Sequence, residues 1–384
     1  VGVKPLAEAL RSRGVVVCVG PGGVGKTTLA AALALQGAAL GRKSLVCTID
    51  PARRLASALG LSELGNIARR ISESELQAAG IQLAAPVQAM MLDMKQSWDE
   101  LIARSASPEQ SERILANRFY QSLSSALAGS QEYIALEKLW ELHSAGTQDL
   151  LVLDTPPTAQ ALDFLDAPAR VMDFFGSDTA RWLLTPALRG TKVGLRLFGL
   201  GGNLISRALS RVVGGQTLSD LATFLLAMSG MNEGFRERAQ AVRALLASQE
   251  TVVVLVTGPA AERREEAVRF HHSLREQRLN VAAVVVNQVH ADVDPEDVAA
   301  AARLPEPLRS KLERTLSEGH QLALADAQSI RELRAAVAPT PLLTVPRFEG
   351  DVHDLSALWR AGTYLVSDTT PGEGQAAAAA ARGA

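Results

Sequence analysis

Eight residues, Gly20-Pro21-Gly22-Gly23-Val24-Gly25-Lys26-Thr27, combine glycines with a lysine and a hydroxyl at the spacing GxxxxGK[ST]. Glycines let successive backbone N–H groups curl around phosphate oxygens. A helix that opens at the end of such a loop adds positive potential at its N-terminus. The apolar run Val15–Val19 precedes the motif, and a helical pattern, Thr27–Gln36, follows it. In this arrangement Lys26 reaches the β/γ phosphates as a mobile point charge, and Thr27 offers its hydroxyl to Mg²⁺. The expected nucleotide contacts are Gly20, Gly22, Gly23, Val24, Gly25, Lys26, Thr27 and Thr28.

Two acids stand where such a site requires them. Asp50 ends one apolar run in Thr48-Ile49-Asp50-Pro51-Ala52, and Asp154 ends another in Leu150-Leu151-Val152-Leu153-Asp154. Ligands of open α/β sheets sit at the carboxyl ends of the strands, so both carboxylates would face the phosphates. Asp154 fits a Walker B acid that holds Mg²⁺ directly or through water, and Asp50 fits the acid that orients the attacking water. Either could instead only cap a turn.

The elements that must position these residues are also legible. Strand-like runs cover Val15–Val19, Ser44–Asp50, Val87–Asp93, Leu150–Asp154, Thr251–Thr257, Val281–Asn287 and Leu342–Val345. Several are continuously apolar, as strands are when helices cover both faces. Alternation with helical patterns predicts an α/β fold with a doubly wound, mostly parallel sheet. Ser97–Ala145 is largely helical in pattern, and Asp163–Gln249 is too long for a crossover loop. The expected organisation is one ATPase domain over 1–368, with a helical subdomain from about 97–145 and 163–249. A disordered tail is expected over 369–384.

Composition narrows the function classes. The 384 residues carry 39 Lys+Arg against 41 Asp+Glu, a net charge of -2, which argues against nucleic acid as main partner. Two cysteines, Cys18 and Cys47, exclude a disulfide framework and fit a reducing cytosol. Both fall within core strands, where free Cys acts as a small hydrophobe. His271 and His272 are adjacent on a helix and face apart, so they do not make a metal site with each other. No apolar run reaches the roughly 18 residues that span a bilayer. The expected location is the cytoplasm, with peripheral contact at a membrane left open.

Four motifs in order, Gly-x-Gly-Gly-Val-Gly-Lys-Thr, Asp50-Pro51-Ala52, Asp154-Thr155-Pro156-Pro157-Thr158 and Val286-Asn287-Gln288, resemble the ArsA/GET family of deviant-Walker P-loop ATPases. The resemblance runs from about Val15 to Leu365 and is strongest to the bacterial anion-transporting-ATPase-like subgroup. It implies a P-loop fold of the SIMIBI class, MgATP as ligand, and a dimer that switches with nucleotide state. It implies that Asp50 is the switch I acid and that Asp154–Thr158 form switch II. Asn287 would hydrogen-bond adenine, and Pro346 would lie in the loop flanking the base. The absence of an Asn-Lys-x-Asp motif agrees with ATP rather than GTP.

Departures from the family pattern carry information. The family places a second lysine after the first glycine, where it reaches the partner's phosphates; here that position is Pro21. A trans-acting cation of this kind is worth roughly 10³–10⁵ in rate. The dimer is therefore either a slow homodimer or a heterodimer with a lysine-bearing paralogue, in which this chain serves as a weakly catalytic regulatory subunit. Thr158 is followed by Ala159-Gln160 rather than Gly-His, and 288–338 lacks the family's Cys-x-x-Cys zinc clamp. Between Thr179 and Ser219 no acid interrupts Arg181, Arg189, Lys192, Arg196, Arg207 and Arg211, which are interleaved with apolar residues. That stretch suits an anionic membrane or an amphipathic client helix, or else simply packs its own apolar face.

Overall fold

The computed structural model describes residues 5–49, 54–61, 64–123, 130–155, 232–350 and 352–366. Their contacts form two compact units. The first is built from Val1–Met91, Leu142–Leu162 and Leu246–Ala384, the second from Leu92–Glu141 and Asp163–Leu245.

The first unit holds the sheet. Its strands are β1 (Val15–Val19), β2 (Ser44–Thr48), β3 (Arg69–Arg70), β4 (Val87–Met91), β5 (Leu150–Asp154), β6 (Thr251–Thr257), β7 (Val281–Val289) and β8 (Leu342–Pro346). They lie in the order β3-β4-β2-β5-β1-β6-β7-β8, and every pairing is parallel except β3 with β4. The chain leaves β1 toward one edge, returns through β5, then continues from β6 toward the other edge. The order therefore reverses at β1, which is where open α/β sheets bind ligands.

All seven strands read from the sequence are present. The second and third end earlier than expected, at Thr48 and Met91, and Asp93 instead caps a helix by accepting the Gln96 N–H. The two-residue β3 carries no periodic signal, because one antiparallel register step needs no pattern. β1, β2, β5 and β6 are buried at every position. That burial is why they read as unbroken apolar runs.

Helices α1 (Pro5–Ser12) and α2 (Lys26–Ala39) cover the sheet, together with the last described helix, Leu355–Val366. Next along the chain after α2, within the first unit, come α3 (Arg54–Ala58) and α4 (Glu73–Ala78). α2 is buried from Leu29 to Ala38, and its alanines let its backbone sit close to the strands. Its Leu33 packs in one cluster with Val16, Val46, Val152 and Val254.

The second unit contains α5 (Met94–Ser105), α6 (Pro108–Leu115), α7 (Arg118–Leu123), and most of α8 (Ser130–Ala145) and α9 (Asn232–Ala247). α6 begins with a full capping box, Ser107 exchanging hydrogen bonds with Gln110, and Pro108 in the first turn. Its interior is polar as well as apolar. Glu137, 2% exposed, accepts from Arg238 at 2.6 Å, and Arg238 also lies over Trp140 at 5.6 Å from the ring centre. Burial pushes the Glu137 carboxyl up from its ordinary range, against the pull of Arg238.

The remaining helices of the first unit are α10 (Ala261–Glu276), α11 (Pro295–Ala301), α12 (Leu308–Val337) and α13 (Leu355–Val366). α10 packs on β6 and β7, and α12 packs on α10. Leu33 is 0% exposed, so Leu33→Ala should cost about 3 kcal/mol of stability. Chemical denaturation should show the midpoint falling with an unchanged slope.

Candidate functional site

The loop between β1 and α2 is shaped by close backbone approach. Gly20 has φ 146°, and a Cβ there would lie 2.0 Å from the Val256 carbonyl oxygen of β6. Only glycine lets β1 turn at this point. Gly25, with φ 87°, is the N-cap of α2, and a Cβ there would lie 2.3 Å from Asn287 Nδ2. The result is a run of small residues whose N–H groups lead into a 14-residue helix. That is the arrangement in which backbone amides and helix field act on one anion.

Lys26 begins the helix and is buried. Its Nζ donates to the carbonyls of Gly20 and Pro21, each at 2.9 Å. Thr27 Oγ1 donates to Asp154 Oδ2 at 2.7 Å. Thr48 Oγ1, at the end of β2, donates to the same oxygen at 2.8 Å. Asp154 is 1% exposed and lies beside Thr48 and Cys18 in the strand registers. Each hydroxyl-to-carboxylate bond is of the strong, charge-assisted kind. The bond to Asp154 consumes the Thr27 proton, which leaves its oxygen as an acceptor or metal ligand. The next residue, Thr155, is anchored through its Oγ1 to the Cys18 carbonyl at 2.8 Å.

Two strands on the other side of β1 complete the site. Asn287 Nδ2 donates to the Val24 carbonyl at 2.8 Å, so the end of β7 is tied to the loop. Gln288 follows with φ 62°, and the β7–β8 register shifts between Val286 and Val289. A non-glycine residue in the left-handed region marks a local cost of order 1–3 kcal/mol, and such strain collects at functional sites.

These elements enclose a cavity of about 740 Å³. The loop and α2 contribute Gly23, Gly25, Lys26, Thr27 and Thr28. The strand ends contribute Thr155, Asn287, Gln288 and Pro346. Its outer wall includes Ser57, Ala58, Arg347, Phe348, Val352 and His353. Gly20, Gly22, Val24 and Asp154 are not among the lining residues; of these, Gly20, Val24 and Asp154 bond directly to lining residues or neighbouring strands. Pro21 is buried. Asp50, Pro51, Ala52 and Arg53, and switch II beyond Thr155, lie outside the described residues, as does the basic stretch from Thr179 to Ser219.

Sequence reasoning missed Thr48 as the second donor to Asp154 and missed the outer wall. Neither had a usable signal: Thr48 meets Asp154 only because β2 and β5 pair in that register, and the outer wall comes from segments far apart in the chain. Cys18 and Cys47 are buried free cysteines. Burial first, and then Asp154, push the Cys18 thiol above its ordinary range, which disfavours the thiolate. No cluster of three or more His, Cys, Asp or Glu among the described residues could hold a metal ion. No helix among them is long and apolar enough to cross a membrane.

Residues 13–306 match the family model described as anion-transporting ATPase. The chain belongs to that family. It is 24% identical over 370 residues to the putative arsenical pump-driving ATPase 1 of Aquifex aeolicus, covering 93% of this chain and 80% of that protein. It is 25% identical over 307 residues to the ATPase GET3 of Podospora anserina, covering 78% and 80%. A shorter match, 31% identical over 154 residues, joins it to the ATPase GET3 of Malassezia globosa, covering 40% and 42%. All three relatives are named as ATPases, and the family is one of ATPases.

The Asn287 bond predicts an effect that needs no ligand. Asn287→Asp sets a carboxylate against the Val24 carbonyl and should destabilise the chain by about 1–3 kcal/mol. Asn287→Ala, which only deletes the bond, should cost less. Thermal unfolding without nucleotide distinguishes the two.

Proposed function

We propose that this chain binds MgATP in the β1–α2 cavity, hydrolyses it, and uses the nucleotide state to switch a dimer and its helical unit. The observation that carries this reading is the convergence of Lys26, Thr27 and Asn287 on one cavity at the point where strand order reverses, with Asp154 bonded to Thr27 behind it.

The donor set fits the ligand. The loop's glycines admit a phosphate group where side chains would block it. Thr27 and Asp154 are hard oxygen donors, which suit Mg²⁺ better than a soft ion. Thr27 would hold the metal through its hydroxyl oxygen, with Asp154 fixing that hydroxyl from behind. When bound, Mg²⁺ supplies neutralisation of charge on the β/γ-phosphate oxygens. Lys26 exchanges the Gly20 and Pro21 carbonyls for phosphate oxygens, trading neutral acceptors for charged ones. Asn287 and Pro346 border the end where the base would lie. Asp50 orients the attacking water, and the segment after Thr155 carries the change in γ-phosphate occupancy outward. The helical unit, read as about 97–145 and 163–249, is the part that meets a client or partner. An amphipathic helix or a membrane protein fits the basic stretch within it.

A second reading rests on Pro21. A buried proline at this position supplies no cation to a partner's phosphates. A lysine-bearing paralogue would then complete the site, with this chain as the weakly catalytic or regulatory half.

Three variants test these readings, and the third separates them. Lys26→Ala should weaken MgATP binding by roughly a hundredfold or more, measured by calorimetry. Asp50→Asn should bind normally and turn over at least about a hundredfold more slowly. Pro21→Lys should raise homodimer turnover if the trans cation is what the chain lacks. A dimer in which that substitution changes nothing would favour another compensation. Retained tight binding in Lys26→Ala would remove the loop from the site.

A further inference from the structure

One polar chain in the sheet-bearing unit has no part in the reading above. It begins on α12 with Asp326, which is buried. Asp326 Oδ2 accepts both the backbone N–H of His290 and its ring Nδ1, each at 2.8 Å. On the other edge of the ring, Arg347 Nη1 lies 3.2 Å from Nε2. A guanidinium can only donate. Nε2 is therefore the acceptor, and the ring proton sits on Nδ1 toward Asp326. The two neighbours thus select one neutral tautomer. Arg347 is exposed and borders the cavity, and its backbone N–H donates to the Val289 carbonyl at 2.8 Å.

Strand order says which end of the cavity this is. The phosphate loop follows β1 and Arg347 follows β8, three strand spacings away. At about 4.8 Å per spacing that separation is roughly 14 Å. Arg347 therefore stands at the end remote from Lys26, directly after Pro346. A planar guanidinium at that distance from the phosphates suits a π-face. A side chain already held at one edge also loses less freedom when a ligand arrives.

We propose that Arg347 contacts the nucleoside, stacking its guanidinium on the base, and that His290 and Asp326 are positioning residues that hold it for that contact. This rests on the reading that the cavity takes MgATP. The charged groups facing His290 are Asp326 from α12 and Arg347 from the segment after β8. Asp292, in the same segment as His290, is paired with His320 of α12 at 2.7 Å.

The test is calorimetric titration of the whole chain with MgATP and with magnesium tripolyphosphate. Arg347→Ala should weaken MgATP roughly tenfold and leave tripolyphosphate within about twofold. His290→Gln should match the wild type, because its amide oxygen also accepts from Arg347. His290→Ala should fall toward Arg347→Ala. Unchanged MgATP affinity in Arg347→Ala overturns the proposal. So does an equal loss for tripolyphosphate, or wild-type MgATP affinity in His290→Ala. A wild type that binds no MgATP at all removes the cavity reading itself, a different result from any of these.

Discussion

A carboxylate almost wholly removed from water stands at the end of β5, and much of the site follows from keeping it satisfied. Asp154 is acceptable there because two hydroxyls reach one of its oxygens, Thr27 from the first turn of α2 and Thr48 from the end of β2. A buried charge left without donors would cost several kcal/mol. The requirement locks the start of α2 against two strand ends at once. The bond from Thr27 uses up its hydroxyl proton and leaves the oxygen as an acceptor. In the proposed MgATP complex, structural satisfaction and preparation of the metal site are one interaction.

The opposite side of the loop is held differently. There the constraint is steric, because Gly20 passes so near the Val256 carbonyl that no side chain fits. Asn287 then bonds the Val24 carbonyl and draws β7 to the loop. An asparagine in this motif is expected to read adenine. In the structure it ties the end of β7 to the loop after β1. One of its two amide hydrogens is committed to that tie, while the side chain still borders the cavity. Movement of the loop on phosphate binding would therefore be felt at the base end.

The loop also bears on the question of the missing lysine. Pro21 lends its carbonyl to Lys26, so the position contributes an acceptor within its own site rather than a cation to another. That chemistry is compatible with nucleotide binding by one chain and leaves transition-state charge to be met from elsewhere. The polar interior of the helical unit is a separate matter. Glu137 and Arg238 are paired away from water, and such pairs specify an arrangement more than they add stability.

The residues by themselves determined the phosphate loop, the strands and the family. Each is a local pattern: glycine spacing sets backbone freedom, and unbroken apolar runs report burial on two faces. Gly20, Lys26 and Thr27 could be placed from the sequence because each holds a set position in one strand–loop–helix unit, and Asp154 because it ends an unbroken apolar run. Tertiary structure alone decided the rest. Nothing in Thr48 announces that it shares Asp154 with a helix, since that depends on β2 and β5 being neighbours. Nothing in Asn287 announces the Val24 carbonyl, 263 positions away. Arg347, His290 and Asp326 come from a loop, a strand end and a helix, and are ordinary residues in each. Hydrogen bonds reach only about 3 Å, so which distant residues fall within that reach is decided by strand order and register rather than by local sequence.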